Sequence, residues 1–239
     1  MQVVKRDGRK EDVKLDKLTS RVKALSRGLN IDPLEISKRC ANGLHDGIST
    51  KQIDDLLATT AAGLTVKAPD YSKVAARILV TRHQKETPGF YEAMKTLAKQ
   101  GLLTPDFLAL VKLHGKELES HIEYKRDLNF GYFGFVTLYK KYLMSIDGAV
   151  VERPQDLYMR VALAIHQNDL VSVKALYDEL SLGRASFGTP TLTNAGTSRP
   201  QMSSCFLLGI ESDSIVGIYD SLKETALISQ SAGGVGLHV

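Results

Sequence analysis

The stretch VVKRDGRKEDVKLDKL, residues 3–18, sets the reading of the fold. Val3 and Val4, the Asp7-Gly8 pair and then Val13 spell a small hairpin, because Asp-Gly suits the positive φ angles of a tight two-residue turn. Its tip is basic. Asp16 can then cap a helix whose Leu18, Val22 and Leu25 recur at helical spacing and which ends near Gly28. Three more helices complete the segment. Pro33 opens one running to about Gly43, and Ser49 or Thr50 caps another with Ile53, Leu56, Leu57, Ala61 and Leu64 on one side. After Pro69, Tyr71 to Lys85 makes the fourth. Residues 1–95 therefore read as a compact unit able to close its own core.

Beyond Pro88-Gly89 the pattern stays helical over Phe90 to Gln100, Pro105 to His121, an aromatic stretch from Leu128 to Met144, and Pro154 to Ile165. The texture then changes to GTPTLTNAGTSRPQMSSCFLLGI, residues 188–210, a loop of small polar residues running into a short apolar strand at Cys205 to Ile210. Loops of this kind often hold ligands. Asp213 or Ser214 can cap a last helix with Ile215, Ile218, Tyr219, Leu222 and Ala226 inward, stopping at Ser231-Ala232-Gly233-Gly234-Val235-Gly236. The apolar Leu237-His238-Val239 that follows reads as an interrupted domain. A truncated reading frame, one half of a split protein and a piece preceding an intervening sequence all fit.

Composition narrows the class. The 239 residues suit one large domain or two small ones, and 43% hydrophobic with 24% charged residues is ordinary for a globular chain. No run approaches the roughly 18 apolar residues of a membrane helix, and the first ten residues lack the apolar core of a signal peptide. A soluble cytoplasmic protein is expected, with neither membrane nor nucleic acid as partner. Lys+Arg total 31 against 27 Asp+Glu, a net +4 too mild to argue for nucleic acid but compatible with nucleotides. Cys40 and Cys205 fit neither a disulfide framework nor a zinc-ligand spacing.

Two places can carry chemistry. Lys5, Arg6, Glu11, Lys14 and Lys17 can share one surface, where converging cations can hold a triphosphate; the plainer reading is a solvated charged hairpin. No GxxxxGK[ST] occurs, so any ATP site is of another kind. Cys205 in its apolar strand reads by itself as a buried small hydrophobe. The Gly233-Gly234 pair reads as a helix C-cap or a close backbone approach.

The ordered motifs VVKRDGRKEDVKLDKL, STKQIDDL and PDYSKVAARILVTRHQKE together resemble the ATP-cone, the small nucleotide-sensing domain of many ribonucleotide reductase large subunits. GTPTLTNAGTSRPQMSSCFLL and DSIVGIYDSLKETALISQSAGGVG resemble the start of the ten-stranded catalytic barrel of the class I large subunit. The resemblance implies a mainly α fold with a small β-hairpin. Its parts are an ATP-cone over 1–95, a helical domain over 96–184 and the first strand or strands and helix of an incomplete α/β barrel over 185–239. It implies an oxidoreductase that reduces ribonucleoside diphosphates for deoxyribonucleotide synthesis by a thiyl radical, under allosteric ATP/dATP control.

The same resemblance assigns residues. Lys5, Arg6, Lys17 and Lys85 are implied as phosphate partners, Thr50 and Asp54 as readers of base or sugar, and Glu11 as support for the hairpin or a bound metal–phosphate. Cys205 is implied as one of two redox thiols, its partner outside the chain. Thr189, Ser204, Gly233 and Gly234 are implied at the substrate, and Asp213, Ser214 and Ile215 at a specificity site on a homodimer interface. Further implications are Mg-bound ATP or dATP as effectors, no metal held by this chain, and a radical metallocofactor in a separate small subunit. Thioredoxin or glutaredoxin is implied as reductant, and a C-terminal half if the protein is split. The radical cysteine has no match here, so the chain alone is expected to bind nucleotide without turnover. A free-standing ATP-cone regulator is the alternative, although such proteins carry a zinc ribbon and no CxxC is present. A purely structural helical scaffold leaves the SSCFLL loop and the glycine turn unexplained.

Overall fold

The computed structural model describes residues 1–199, 201–230 and 233–238. In chain order the elements are β1 (Gln2–Val4), β2 (Lys10–Asp12), α1 (Leu15–Leu25), α2 (Pro33–Ala41), β3 (Ile48–Ser49), α3 (Thr50–Gly63) and α4 (Asp70–Glu86). Then come α5 (Phe90–Lys99), α6 (Pro105–His121), a 3-10 turn (Tyr124–Asn129), α7 (Tyr132–Lys141), β4 (Ser145–Ile146) and β5 (Ala149–Val150). The chain continues through α8 (Pro154–His166), α9 (Leu170–Ser181), α10 (Thr189–Asn194), β6 (Cys205–Gly209), α11 (Ile215–Gln230) and β7 (Gly234–His238). The fold is mainly α, as the sequence implies.

Contacts divide the chain into two units, residues 1–88 with 123–141, and residues 89–122 with 142–239. This differs from the expected divisions at 95 and 184. The physical reason lies on α4, whose outer face takes up Phe135 of α7, with Phe130, Tyr132, Val136 and Tyr139 packed against the same core. Residues 1–95 alone thus leave part of that core uncovered.

In the first unit β1 pairs antiparallel with β2, Val3 opposite Glu11, and parallel with β3, Val3 opposite Ile48. The third strand is too short to leave an alternation signal. The hairpin connection is longer than the expected two residues. Lys5 N–H donates to Arg9 O at 2.8 Å and Gly8 N–H to Lys5 O at 3.0 Å, with Gly8 at φ +82°, a three-residue loop whose glycine takes the left-handed position. Arg6 sits at its tip. Helix α1 begins at Leu15 with Lys14 as an N-cap that makes no side-chain bond, so Asp16 lies in the first turn instead of capping. There its charge favours the positive end of the helix. Helix α3 is closed by a capping box: Gln52 N–H donates to Ser49 Oγ at 3.1 Å and Ser49 N–H to Gln52 Oε1 at 2.9 Å. Cys40 is fully buried in this core, where burial pushes its thiol up to about 11.

In the second unit α5 packs on α6 and α8 on α9. The buried Arg160 guanidinium joins Glu152 at 2.6 Å and donates to Ala195 O at 2.7 Å and Leu192 O at 3.0 Å, tying the end of α10 to α8. The segment expected as an open loop from 188 therefore begins with a short helix. Strands β6 and β7 pair in parallel, Cys205 opposite Gly234, with α11 as the crossover. This β–α–β unit matches the expected opening of an α/β barrel. Two details differ. Gly234 to Gly236 lie in β7 rather than in a turn, and Ser231 and Ala232 of the expected helix stop lie outside the described residues. The α11 face expected inward is exposed, with Ile215 at 73% and Tyr219 at 63%, and no second layer covers it among the described residues.

Candidate functional site

A cavity of about 390 Å3 opens in the first unit between the β1–β2 hairpin, α1, the start of α3 and the end of α4. All seven residues singled out from the sequence, Lys5, Arg6, Glu11, Lys17, Thr50, Asp54 and Lys85, line it. Each element contributes at its end: the hairpin loop supplies Arg6, α1 supplies Lys17, the capped first turns of α3 supply Thr50 and Asp54, and the last turn of α4 supplies Lys85. Val3, Leu18 and Ile53 give one apolar side. Arg21 and Lys14 also line the cavity; Arg21 follows Lys17 by four residues on α1, a helical spacing that marks it as a neighbour in the sequence itself.

The charges are arranged in two groups. Near the mouth, Glu11 accepts from Lys17 Nζ at 3.3 Å with Lys5 Nζ at 3.5 Å, and the Lys17 hydrogen bond, then the nearby Lys17 and Lys5 charges, hold its carboxyl below the usual range. At the floor, Asp54 is buried, its side chain 7% exposed, with Arg21 Nε at 3.1 Å and Arg6 Nη2 at 3.6 Å. Burial pushes Asp54 upward against the downward pull of Arg21, Arg6, Arg82 and Lys85. Burial and then repulsion from Arg21 and Arg6 depress Lys85. Six Lys or Arg side chains face four Asp or Glu in the lining, leaving unneutralised positive charge suited to an anion. Among the described residues no cluster of three or more His, Cys, Asp or Glu side chains is placed to hold a metal, and no helix is long and apolar enough to cross a membrane.

The second cluster lies around Cys205. Gly234 N–H donates to Ser204 O at 2.8 Å, and Gly188, the residue before Thr189, lies so close to Ser204 that an added methyl would meet its Cβ at 3.2 Å. Cys205 is exposed rather than buried as an isolated strand cysteine suggests, and Cys40 and Cys205 are both free thiols. Thr189 is exposed at the start of α10, its hydroxyl 3.0 Å from that of Tyr142, a neighbour the sequence did not indicate. Of the expected specificity residues, Ser214 caps α11 by accepting from Gly217 N–H at 3.1 Å, while Asp213 and Ile215 are exposed.

Residues 1–86 match the family model described as the ATP cone domain, residues 128–200 the ribonucleotide reductase all-alpha domain, and residues 203–239 the ribonucleotide reductase barrel domain. Similar curated proteins include the ribonucleoside-diphosphate reductase large subunit of Caenorhabditis elegans, 46% identical across 99% of this chain and 32% of its own length. Large chain 2 of Saccharomyces cerevisiae is 45% identical across 100% of this chain and 29% of its own length. The large subunit of Variola virus is 47% identical across 100% of this chain and 33% of its own length. The chain spans about a third of the length of the curated relatives it matches. With three family models in order along its length and relatives that match it almost end to end, the chain belongs to the ribonucleotide reductase large-subunit family, over whose N-terminal region it lies.

Proposed function

We propose that this chain supplies the nucleotide-sensing and substrate-approach parts of a ribonucleoside-diphosphate reductase large subunit. Residues 1–95 act as the regulatory ATP-cone, 96–184 as the helical domain and 185–239 as the beginning of the catalytic barrel. The cavity of the first unit is the activity site, taking Mg-bound ATP or dATP as effector. Lys5, Arg6, Lys17 and Lys85 hold phosphates through charge-assisted hydrogen bonds, Thr50 and Asp54 read base or sugar, and Glu11 keeps Lys5 and Lys17 facing the ligand. The observation that carries the reading is the convergence of these seven residues on one cationic cavity with an apolar side.

Around Cys205 the same reading assigns Thr189 and Ser204 to the diphosphate of a ribonucleoside diphosphate, with the backbone of Gly233 and Gly234 approaching the substrate closely. Cys205 acts as one of two thiols: both give up a proton and an electron to the substrate as its 2′-hydroxyl leaves as water, and the two sulfurs join as a disulfide. The second thiol and the radical cysteine belong to the remainder of the subunit. Asp213, Ser214 and Ile215 form part of the specificity site at a homodimer interface. A radical-generating small subunit, thioredoxin or glutaredoxin as reductant, and a cytoplasmic location complete the proposal.

The test is calorimetric titration of the folded 239-residue chain with dATP, beside Lys17→Glu and Asp54→Ala. Saturable binding by the parent chain that both variants lose is the expected result. Absence of binding by a folded parent chain, or undiminished affinity after the charge reversal at Lys17, overturns the site as drawn.

A further inference from the structure

Arg21 is the cation nearest the buried carboxylate of the cavity. Its Nε stands 3.1 Å from Asp54 Oδ1, and its other end reaches Thr81 Oγ1 on α4 at 3.4 Å. Thr81 commits its own hydroxyl proton to backbone oxygens, Arg77 O at 2.8 Å or Ile78 O at 3.0 Å, so its oxygen is turned to accept. The guanidinium is thus fixed between α1 and α4. Its buried Nε–H nevertheless has no hydrogen-bond partner in aligned geometry among the described residues. Arg21 therefore acts on Asp54 as a neighbouring charge and leaves the lone pairs of the carboxylate available.

The other cations around Asp54 are engaged elsewhere or weakened. Arg6, from the hairpin loop, is 41% exposed and shared with Glu86 at 3.5 Å. Arg82 on α4 is bonded to Asp55 at 2.5 Å, and Lys85 on the same helix is itself disfavoured as a cation by burial. On its own helix Asp54 has Asp55 next to it, turned to Arg82, and the uncharged Thr50.

We propose that Arg21 is a positioning residue of the nucleotide cavity. From α1 it keeps the Asp54 carboxylate ionised and open, so that the cavity floor presents an acceptor-only group to the N–H or O–H donors of a nucleoside. The inference rests on the nucleotide reading of the cavity. A protonated Asp54 offers a donor in place of one acceptor, and the match to the same nucleoside is lost. Removing one close opposite charge shifts a carboxyl upward by about one unit or more.

Two measurements decide it: titration of the Asp54 carboxyl carbon by NMR in the ligand-free chain, identified by its loss in Asp54→Asn, and dATP affinity between about pH 5 and 8. Arg21→Met is expected to move the Asp54 titration upward by about one unit. The acid fall-off in dATP affinity moves with it, and Arg21→Lys, which keeps stem and charge, restores most of the parent profile. In the Asp54→Asn background, Arg21→Met no longer alters the pH profile. An unmoved Asp54 titration in folded Arg21→Met or, should that variant unfold, in Arg21→Ala or Arg21→Gln, overturns the proposal. Affinity lost equally at every pH does so too, as the mark of a merely structural role. If the parent chain binds no dATP, the nucleotide reading fails, while the carboxyl titration still decides what Arg21 does to Asp54.

Discussion

Lys85 carries its charge under strain. Burial and the neighbouring Arg21 and Arg6 depress it, and Asp54 only partly opposes them. A folded-state pKa below the unfolded value means that stability from this group is present above the unfolded pKa and is lost as pH falls through the folded one, so at neutral pH the charged Lys85 is a cost of folding. A polyphosphate beside it reverses that cost. Binding of dATP should therefore be accompanied by proton uptake on the alkaline side, and affinity should fall as pH rises through the depressed Lys85 pKa instead of near 10.5. Titrations from about pH 7 to 10 in buffers of different ionisation enthalpy measure this directly. Lys85→Arg, which stays charged across that range, should flatten the alkaline limb; an unchanged limb places the titrating group elsewhere. From the residues alone the sequence offered Lys5 and Lys17 as cations that could share a surface, while Thr50 and Asp54 entered through the family resemblance; all four line the cavity. It was silent on the Tyr142–Thr189 hydroxyl contact, because 47 residues of intervening chain decide which groups meet.

Element ends show where local signals suffice. Pro33, Pro105 and Ser49 each mark a helix start in the sequence, and α2, α6 and α3 begin there, where the structure adds caps from Asp32, Thr104 and the Ser49–Gln52 box. Where no cap contrasts with its surroundings the reading loses precision: the Leu128 to Met144 stretch divides into a 3-10 turn and α7, and α9, capped by Asp169, passes unnoticed after α8. Only the short polar run Gln167-Asn168-Asp169 separates α9 from α8. The capping box of α3 also has a functional consequence, since Thr50 and Asp54 occupy its first two turns. Ser49→Ala should cost about 1 kcal/mol, lowering the melting midpoint of the first unit by roughly 4–8 °C. Its effect on dATP affinity should be smaller than that of Lys17→Glu, because the cap orders the helix start without touching the ligand. Thermal melts with calorimetry on the same samples separate the two effects.

The two units are not the segments that linear reading or family boundaries suggest. Residues 128–200 match one domain model, yet residues 123–141 pack with the first unit. Phe135 is 2% exposed there, with its ring centroid 6.2 Å from His83 and 6.1 Å from Tyr139. Linear order hides this because the aromatic stretch is separated from α4 by α5 and α6, and nothing in its own periodicity names the surface that buries it. The helix it covers, α4, also carries Lys85 into the cavity lined by Lys5, Arg6 and Asp54. Phe135→Ala should therefore cost about 3–5 kcal/mol in the first unit, by lost burial and the cavity left behind. On heating, dATP should raise the transition of that unit by mass action while leaving the other in place. Phe135→Ala should lower the transition that dATP raises, whereas Leu157→Ala, at a fully buried position of α8, should lower the other. A polypeptide of residues 1–95 should melt well below the dATP-responsive transition of the full chain. Equal midpoints would mean that α7 decorates the sensing unit without completing it, and the unit would then end where the ATP cone match ends, at residue 86.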